Sequence, residues 1–240
     1  MTGRIERTRL RRFCLLVVAK APVPGLAKTR LCPPATPEQA AEIAAAALLD
    51  TLNAVAQTPG AQPMVALTGD LTKASRSAEL TAALRSVPVI VQRGNNFSDR
   101  LANAHADVAR LRPYCPVLQI GMDTPQVTPA LLAETADLLI GSDAVLGPAT
   151  DGGWWALGLR DPGAAAVLSD VPMSRSDTGC RTMECLEADG NEVTLGVTLS
   201  DVDTMADARA VAAKHPGATR FAAAVRAVRA EADLTPGVSR

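Results

Sequence analysis

The stretch FCLLVVAKAPVPGLAKTRL, residues 13–31, decides the fold of this chain. Its first seven residues are apolar and include two adjacent valines, which is typical of a strand buried on both faces. The chain then enters a loop shaped by two prolines and Gly25, and this loop carries Lys28 and Arg30. Open α/β sheets bind ligands in loops that follow buried parallel strands. Because fixed cations bind phosphate, the stretch predicts a nucleotide-binding loop.

Two familiar phosphate-binding motifs do not fit this loop. A P-loop requires glycine immediately before its lysine and a second glycine further upstream, but Ala27 precedes Lys28. The three spaced glycines of a dinucleotide fingerprint are also absent from the stretch. A surface loop with two solvated charges remains the simple alternative.

Composition limits the classes of protein that this chain can represent. It has 240 residues, a formal net charge of −1 and 48% hydrophobic residues, which predicts a globular protein with a sizeable core. The near-neutral charge and the 2% aromatic content argue against a nucleic-acid binder. No apolar run approaches the roughly 20 residues of a membrane span.

Cysteine and histidine usage excludes several kinds of site. The five cysteines form no CxxC pair, which predicts a reduced, cytoplasmic protein. The two histidines, His105 and His215, lie far apart and outside any motif, so a zinc site or a Ser-His-Asp triad is not expected.

Strand and helix patterns alternate along nearly the whole chain. A capping box, Thr36 with Gln39, predicts a helix over residues 37–57. The alternation predicts an α/β fold with a mostly parallel sheet and helices on both faces. We expect one domain over residues 13–231, preceded by a basic arm (1–12) and followed by a frayed tail (232–240). The remaining predicted strands are 64–68, 87–92, 117–120, 144–146, 154–159 and 192–198, and the remaining predicted helices are 75–85, 97–111, 128–141, 162–168, 178–188, 205–214 and 218–231.

Acidic residues follow three of the predicted strands. They are Asp123, Asp151 and the pair Asp201 and Asp203. Because the carboxyl ends of parallel strands meet at one edge, these carboxylates should lie near the Lys28 loop. Mg²⁺ or Mn²⁺ takes such hard oxygen ligands together with phosphate oxygens, and we expect Asp123 and Asp203 to hold the metal. For any single aspartate, a turn or a helix cap is the alternative.

Other polar and glycine-rich segments follow predicted strand ends. Gly152 and Gly153 could let the backbone approach a ligand or could form an ordinary tight turn. Trp154 and Trp155 point to opposite faces of an extended segment, so one is expected in the core and the other at the site. Asn95, Asn96 and Arg100 could contact substrate, with helix capping by Asn96 or Ser98 as the alternative.

The motifs KAPVPGLAKTRL (20–31), GMDTP (121–125), GPATDGGW (147–154) and DVDT (201–204) occur in this order. Together they resemble the DUF2064 family of bacterial proteins, over about residues 13–214. The resemblance implies a three-layer α/β/α, Rossmann-like GT-A (nucleotide-diphospho-sugar transferase) fold. The AKTRL and DVDT motifs are also similar to those of 2-phospholactate guanylyltransferases, and some relatives are associated with arsenosugar glycosyl transfer.

The resemblance also implies roles for individual residues. Lys28 and Arg30 would contact phosphate, Asp123 and Asp203 would ligate Mg²⁺ or Mn²⁺, and Asp151 would face the acceptor or sugar. Asp123 lacks the Asp-x-Asp pairing common in glycosyltransferases, and Met173 stands where many relatives carry tryptophan. The predicted site comprises Asp151 and Lys28 as catalytic residues; Ala19, Lys20, Gly25, Lys28, Arg30, Asn95 and Arg100 for nucleotide and phosphate; Gly152, Gly153 and Trp154 for substrate or acceptor; and Asp123 and Asp203 for the metal.

We therefore expect a metal-dependent transferase that uses a nucleotide-activated donor. The first expectation is glycosyl transfer from a nucleotide-diphospho-sugar to a small-molecule acceptor. The second is nucleotidyl transfer from a nucleoside triphosphate to a phosphorylated small molecule, with release of pyrophosphate. A nucleotide-binding regulatory domain without turnover is the non-enzymatic alternative. The expected partners are the nucleotide or nucleotide-sugar and the acceptor, with homodimerisation left open.

Overall fold

The computed structural model describes residues 12–214 and 219–233, which form a seven-stranded sheet with helices on both faces. The predicted basic arm lies outside the described residues except for Arg12, and so do the predicted tail beyond residue 233 and His215. The strands are β1 (Phe13–Lys20), β2 (Ala61–Thr68), β3 (Val89–Val91), β4 (Val117–Gly121), β5 (Ala144–Pro148), β6 (Trp154–Leu159) and β7 (Val193–Leu195).

The strands follow the order β3-β2-β1-β4-β6-β5-β7 across the sheet. Neighbouring strands are parallel except that β6 is antiparallel to both β4 and β5. Only residues 149–153 connect β5 to β6, and a parallel crossover needs about a dozen residues or more. The short connection therefore requires β6 to run antiparallel to β5. The β5–β6 turn lies at the same edge of the sheet as the loop after β1.

The helices cover both faces of the sheet, as the alternation predicts. Helix α1 begins with the predicted capping box: the Thr36 hydroxyl accepts from the Gln39 amide nitrogen, and the Gln39 side chain accepts from the Thr36 amide nitrogen. The α-helices are α1 (Pro37–Ala56), α2 (Ser77–Leu84), α3 (Phe97–Leu111), α4 (Pro129–Asp137), α5 (Thr178–Ala188), α6 (Met205–Lys214) and α7 (Arg220–Asp233).

Strand β1 is buried on both faces, which confirms the expectation from its apolar run. Phe13, Leu15 and Val17 pack on one side against α1 and α4. Leu16 and Val18 pack on the other side against residues of α3 and of the segment 162–170. The central strand thus joins both halves of the core and fixes the position of the loop that follows it.

A third core cluster lies between α1 and the helices α6 and α7. It contains Leu31 from the loop after β1, Val202 from the segment after β7, and apolar residues of α6 and α7. The Asp50 carboxylate of α1 accepts hydrogen bonds from the first two amides of α7, including that of Phe221 at 2.9 Å. The same cluster therefore supports two segments that reach the carboxyl edge of the sheet.

Several predicted element boundaries were wrong. The two edge strands are shorter than predicted: β3 covers Val89–Val91 rather than 87–92, and β7 covers Val193–Leu195 rather than 192–198. Short edge strands limit the length of unpaired backbone exposed to other chains. The segment Pro162–Asp170 is a 3₁₀ helix rather than an α-helix, and α4 gives way to a 3₁₀ turn after Asp137. Helix α7 continues to Asp233, so it includes the first two residues of the predicted tail.

None of the helices in the described part of the chain combines the length and apolarity that crossing a membrane requires.

One histidine is enclosed in the core between α3 and β4. The Nε2 atom of His105 lies 2.9 Å from Oε1 of Gln119, and within the described residues its Nδ1 atom has no hydrogen-bond partner. Burial disfavours the charged imidazolium and lowers the pKa of His105 from 6.5 to about 4. Between about pH 6.5 and pH 4 the unfolded chain therefore binds a proton that the folded chain does not. The free energy of unfolding falls as the pH drops through this range.

We predict that His105→Gln reduces the pH dependence of stability. Between pH 7 and pH 5 the wild-type protein should lose about 2 kcal/mol of unfolding free energy through this histidine, and the variant should not. Urea unfolding of both proteins at the two pH values measures the difference. If the unfolding free energies of the two proteins depended identically on pH, His105 would not be an enclosed, neutral imidazole.

Candidate functional site

A cavity of about 720 Å³ opens at the carboxyl edge of the sheet. Its walls come from the loop after β1, the loop after β4, the β5–β6 turn and the segment after β7. Residues of α3 and of the segment 173–178 close the remaining side. The described chain thus brings residues from position 18 to position 203 around one space.

Lys28 lies between two carboxylates in this cavity. Its Nζ atom is 3.1 Å from Oδ2 of Asp123 and 3.2 Å from Oδ1 of Asp203. The same ammonium donates a hydrogen bond of 2.5 Å to the carbonyl oxygen of Val202. Residues separated by about 175 positions in sequence therefore meet at one point, which is the convergence that the sequence predicted.

The backbone of the loop after β1 directs Lys28 into the cavity. Lys28 adopts a left-handed conformation with φ of 49°, immediately before a 3₁₀ turn over Thr29–Leu31. Ala27 and Leu31 are buried on either side of it, so the loop is anchored in the core. Arg30 extends from the same turn, and its Nη1 atom pairs with Oδ2 of Asp203 at 3.1 Å while the side chain remains 74% exposed.

Backbone hydrogen bonds tie the acidic segments to one another. The amide of Val202 donates to the carbonyl oxygen of Asp123 at 3.0 Å, which joins the segment after β7 to the loop after β4. The amide of Thr150 donates to the carbonyl oxygen of Leu199 at 3.0 Å, which joins the same segment to the β5–β6 turn. Asp151, in that turn, accepts from the amide of Gly153. The aspartates are therefore held in place by main-chain contacts.

The clustered charges change the proton affinities of two groups in the site. Burial lowers the pKa of Lys28, but Asp123 and Asp203 more than offset this effect, so the pKa is above its ordinary value and the ammonium stays charged. Burial also raises the pKa of Asp201 to about 6, and the nearby Asp151 carboxylate adds to this rise. Burial and the nearby carboxylates therefore both favour the protonated form of Asp201.

The donor chemistry around Lys28 fits a hard divalent cation. Oxygen atoms of Asp123, Asp203 and Val202 all lie within 3.2 Å of the Lys28 ammonium, so they converge on one positively charged group. Oxygen ligands of this kind suit Mg²⁺ or Mn²⁺. Among the described residues, no group of three or more His, Cys, Asp or Glu side chains could hold an ion. Ligand oxygens would have to complete the coordination shell.

Most of the predicted site residues line the cavity. Those that do are Ala19, Lys20, Lys28, Arg30, Arg100, Asp123, Asp151, Gly153, Trp154 and Asp203. The structure does not place Gly25, Asn95 or Gly152 in the cavity wall. Gly25 occupies a turn with φ of 75°, and the amide of Asn95 donates to Asp99 at the start of α3. Asn96 caps that helix, as the alternative interpretation held.

Gly152 supports the site through packing against another loop. It has φ of 90°, and a β-carbon at this position would lie 1.9 Å from the carbonyl oxygen of Ser176. Its own carbonyl accepts from the amide of Gly179 at 2.8 Å. Gly152 therefore allows close packing against the segment around Ser176 rather than against a ligand. This packing positions the segment that closes the cavity.

The two tryptophans point to opposite faces, as expected of neighbours in a strand. Trp155 is buried in one of the core clusters, and its indole nitrogen donates to the carbonyl oxygen of Val197 at 2.8 Å. Trp154 is partly exposed and donates to the Thr182 hydroxyl at 3.2 Å. Both residues line the cavity, so neither is purely a core residue.

Several polar residues of the cavity wall were not predicted as site residues, among them Gln92, Gln119 and Arg175. The Gln92 amide donates to the carbonyl oxygens of Ala19 and Ala66, each at 2.8 Å, and so links the carboxyl ends of β1 and β2. Gln119 is the polar residue in the otherwise apolar strand β4. A polar residue in a buried strand was a signal in the sequence that could have identified it as a site residue. Arg175 enters through the loop before α5, where its sequence neighbours give no indication of a site.

The strand order and the cavity define a class of protein. The fold is an α/β fold of the nucleotide-diphospho-sugar transferase type, with a mostly parallel seven-stranded sheet over the described residues. The chain belongs to the DUF2064 family, described as uncharacterized proteins conserved in bacteria, and residues 51–175 match it. No curated protein matches the chain.

Solved structures share this fold at low sequence identity. A protein of Desulfovibrio desulfuricans G20, provisionally named a nucleotide-diphospho-sugar transferase, is 24% identical with a TM-score of 0.78, and the match covers 91% of this chain and 99% of that one. CMP:2-keto-3-deoxy-manno-octonic acid synthetase, in a complex with CTP, is 13% identical with a TM-score of 0.52, covering 85% and 99%. The 4-diphosphocytidyl-2C-methyl-D-erythritol synthase of Anaerococcus prevotii DSM 20548 is 10% identical with a TM-score of 0.55, covering 85% and 96%.

Proposed function

We propose that a single domain over residues 13–231 is a divalent-metal-dependent transferase that uses a nucleotide-activated donor. The proposed reaction is glycosyl transfer from a nucleotide-diphospho-sugar to a small-molecule acceptor. The observation that carries the proposal is the position of Lys28 between Asp123 and Asp203 at the carboxyl edge of the sheet. Cations and paired carboxylates on one wall suit a metal-bound diphosphate.

The size of the cavity and the structural relatives support this proposal. A volume of about 720 Å³ falls within the range of small-molecule and cofactor sites, roughly 300–1,000 Å³. The name of the D. desulfuricans protein, which shares the fold over nearly its full length, refers to nucleotide-diphospho-sugars.

Each charged side chain has a specific role in the proposed reaction. Lys28 and Arg30 bind the diphosphate oxygens and stabilise the negative charge that grows as the sugar–phosphate bond breaks. A divalent cation held by Asp123 and Asp203 would neutralise part of the same charge. Asp151, in the β5–β6 turn, orients or deprotonates the acceptor hydroxyl, whose oxygen forms the new bond to the sugar. The products are the glycosylated acceptor and a nucleoside diphosphate.

Nucleotidyl transfer is the second candidate function. The names of two structures with the same fold support it: a CMP-sugar-acid synthetase complexed with CTP, and a diphosphocytidyl synthase. In this reaction Lys28 and Arg30 would bind the phosphates of a nucleoside triphosphate, and a phosphorylated acceptor would attack the α-phosphorus in line with the departing pyrophosphate.

A ligand screen followed by product analysis tests the proposal. Thermal unfolding with nucleotides and nucleotide-sugars, with Mg²⁺ or Mn²⁺ and with EDTA, should reveal a stabilising ligand only when the metal is present. Incubation of that ligand with candidate acceptors should then release a nucleoside diphosphate under glycosyl transfer and pyrophosphate under nucleotidyl transfer. Stabilisation without either product across sugar, alcohol and phosphorylated acceptors would favour a regulatory domain. No stabilisation by any nucleotide would contradict the proposed function.

A further inference from the structure

Lys28 occupies the position where the carboxylate pair would hold a cation. Its ammonium contacts one oxygen each of Asp123, Asp203 and Val202, at 3.1, 3.2 and 2.5 Å, and its side chain is only 14% exposed. Asp123 contributes Oδ2 and Asp203 contributes Oδ1 to this contact, and the second oxygen of Asp203 pairs with Arg30. An ammonium and a divalent cation cannot both sit among these three oxygens.

The backbone of the loop places Lys28 beside these oxygens. The left-handed turn at Lys28 is fixed by the buried neighbours Ala27 and Leu31. Leu31 and Val202 belong to the same core cluster, so the loop that carries the ammonium and the segment that receives it rest on one support. The contact is therefore built into the fold rather than made by a freely moving surface lysine.

The two carboxylates that pair with Lys28 and Arg30 are already neutralised without a metal. Lys28 and Arg30 offset the two carboxylates of Asp123 and Asp203, and Asp151 and Asp201 face the cavity without forming an ion pair with Lys28. A divalent cation that displaced Lys28 from Asp123 and Asp203 without any other ligand would leave the ammonium without its two paired carboxylates. Phosphate groups arriving with the ion would give the displaced ammonium a new anionic partner.

We propose that Lys28 competes with the divalent cation for Asp123 and Asp203, so that the protein binds free metal weakly and takes it up as a metal–polyphosphate complex. This inference rests on the proposed function for its assignment of the carboxylate pair to a metal. Lys28 is then the residue that determines the order of binding: phosphate draws the ammonium away, and the metal occupies the oxygens that the ammonium leaves. The substrate is the metal complex of the nucleotide.

Titration of the nucleotide-free full-length protein with Mn²⁺, followed by the electron paramagnetic resonance signal of the free ion, tests the competition. Lys28→Met removes the ammonium and should bind one Mn²⁺ per chain with an affinity about tenfold or more above that of the wild-type protein. Lys28→Gln should show the same gain and serves as the second variant if Lys28→Met folds poorly. The double variant Lys28→Met/Asp123→Asn should lose the gained site.

Two matched variants control for charge. Lys28→Arg keeps a cation between the carboxylates and should bind Mn²⁺ as weakly as the wild-type protein. Lys73→Met removes the same charge at an exposed position where the lysine pairs only with Asp70 among the ion pairs of the described residues, and it should also leave Mn²⁺ binding unchanged. Equal affinity for Mn²⁺ in wild-type protein, Lys28→Met and Lys28→Gln would overturn the competition.

The outcome separates this inference from the proposed function. A gained Mn²⁺ site in Lys28→Met, together with no nucleotide binding by the wild-type protein, would support the competition and contradict the transferase. Nucleotide-dependent turnover by the wild-type protein, together with no gain in Lys28→Met and Lys28→Gln, would overturn the competition and leave the transferase standing.

Discussion

Replacing Asp123 with asparagine should abolish the metal-dependent stabilisation that a bound nucleotide gives the wild-type protein. The amide is neutral and is a poorer ligand than a carboxylate, and the substitution removes one of the two acidic side chains around Lys28. At a nucleotide concentration about 100 times the dissociation constant, binding stabilises the folded state by about 2.7 kcal/mol. For a chain of this size the corresponding loss is roughly 5–10 °C in Tm.

The measurement is thermal unfolding with the nucleotide identified in the ligand screen, with Mg²⁺ and with EDTA. Each shift is read against the same variant without ligand, because Asp123→Asn also removes an ion-pair partner of Lys28. Asp189→Asn is the matched control, since Asp189 follows α5 outside the cavity wall. An undiminished Mg²⁺-dependent shift in the Tm of Asp123→Asn would show that Asp123 is not a metal ligand.

Gly152→Ala should destabilise the protein by about 3 kcal/mol or more and should weaken ligand binding. Two effects combine: an L-residue is strained at φ of 90°, and the added β-carbon would meet the backbone of Ser176 at 1.9 Å. Backbone on both sides prevents an easy adjustment, so the segment 173–178 must move away from the cavity.

Gly190→Ala separates the two effects. Gly190 has φ of 87°, but nothing lies within 4 Å of a β-carbon at that position. This variant should therefore show only the conformational strain, about 1–2 kcal/mol. Urea unfolding of the two variants gives the difference, and nucleotide binding reports whether the cavity wall has moved. Equal destabilisation by the two substitutions would show that Ser176 does not pack against Gly152.

The features that follow from local pattern were predictable from the sequence. A run of seven apolar residues has to be buried on both faces, and β1 is the central strand between β2 and β4. Thr36 and Gln39 satisfy each other's backbone groups within four residues. The start of α1 could therefore be predicted without knowledge of its tertiary contacts. The convergence of Asp123 and Asp203 on Lys28 followed from the common direction of parallel strands.

Features that depend on distant partners were not predictable in the same way. Gly25, Asn95 and Gly152 occur in segments rich in turn residues, and turn chemistry looks the same whether a ligand or another loop lies beside it. Arg175 reaches the cavity because the segment before α5 folds over it, which no local spacing indicates. The reversal of β6 was implied by the short β5–β6 connection, but the alternation of strands and helices concealed it.

The shared core cluster beneath Leu31 and Val202 connects the cavity wall to α7. Phe221 and Val225 of α7 pack into this cluster together with residues of α1. Thermodynamic linkage is reciprocal: if the contact between the Lys28 loop and the segment around Val202 weakens when α7 detaches, a ligand that stabilises this contact lowers the equilibrium population in which α7 is detached. Sequence changes in this remote helix can therefore alter ligand affinity without touching the ligand.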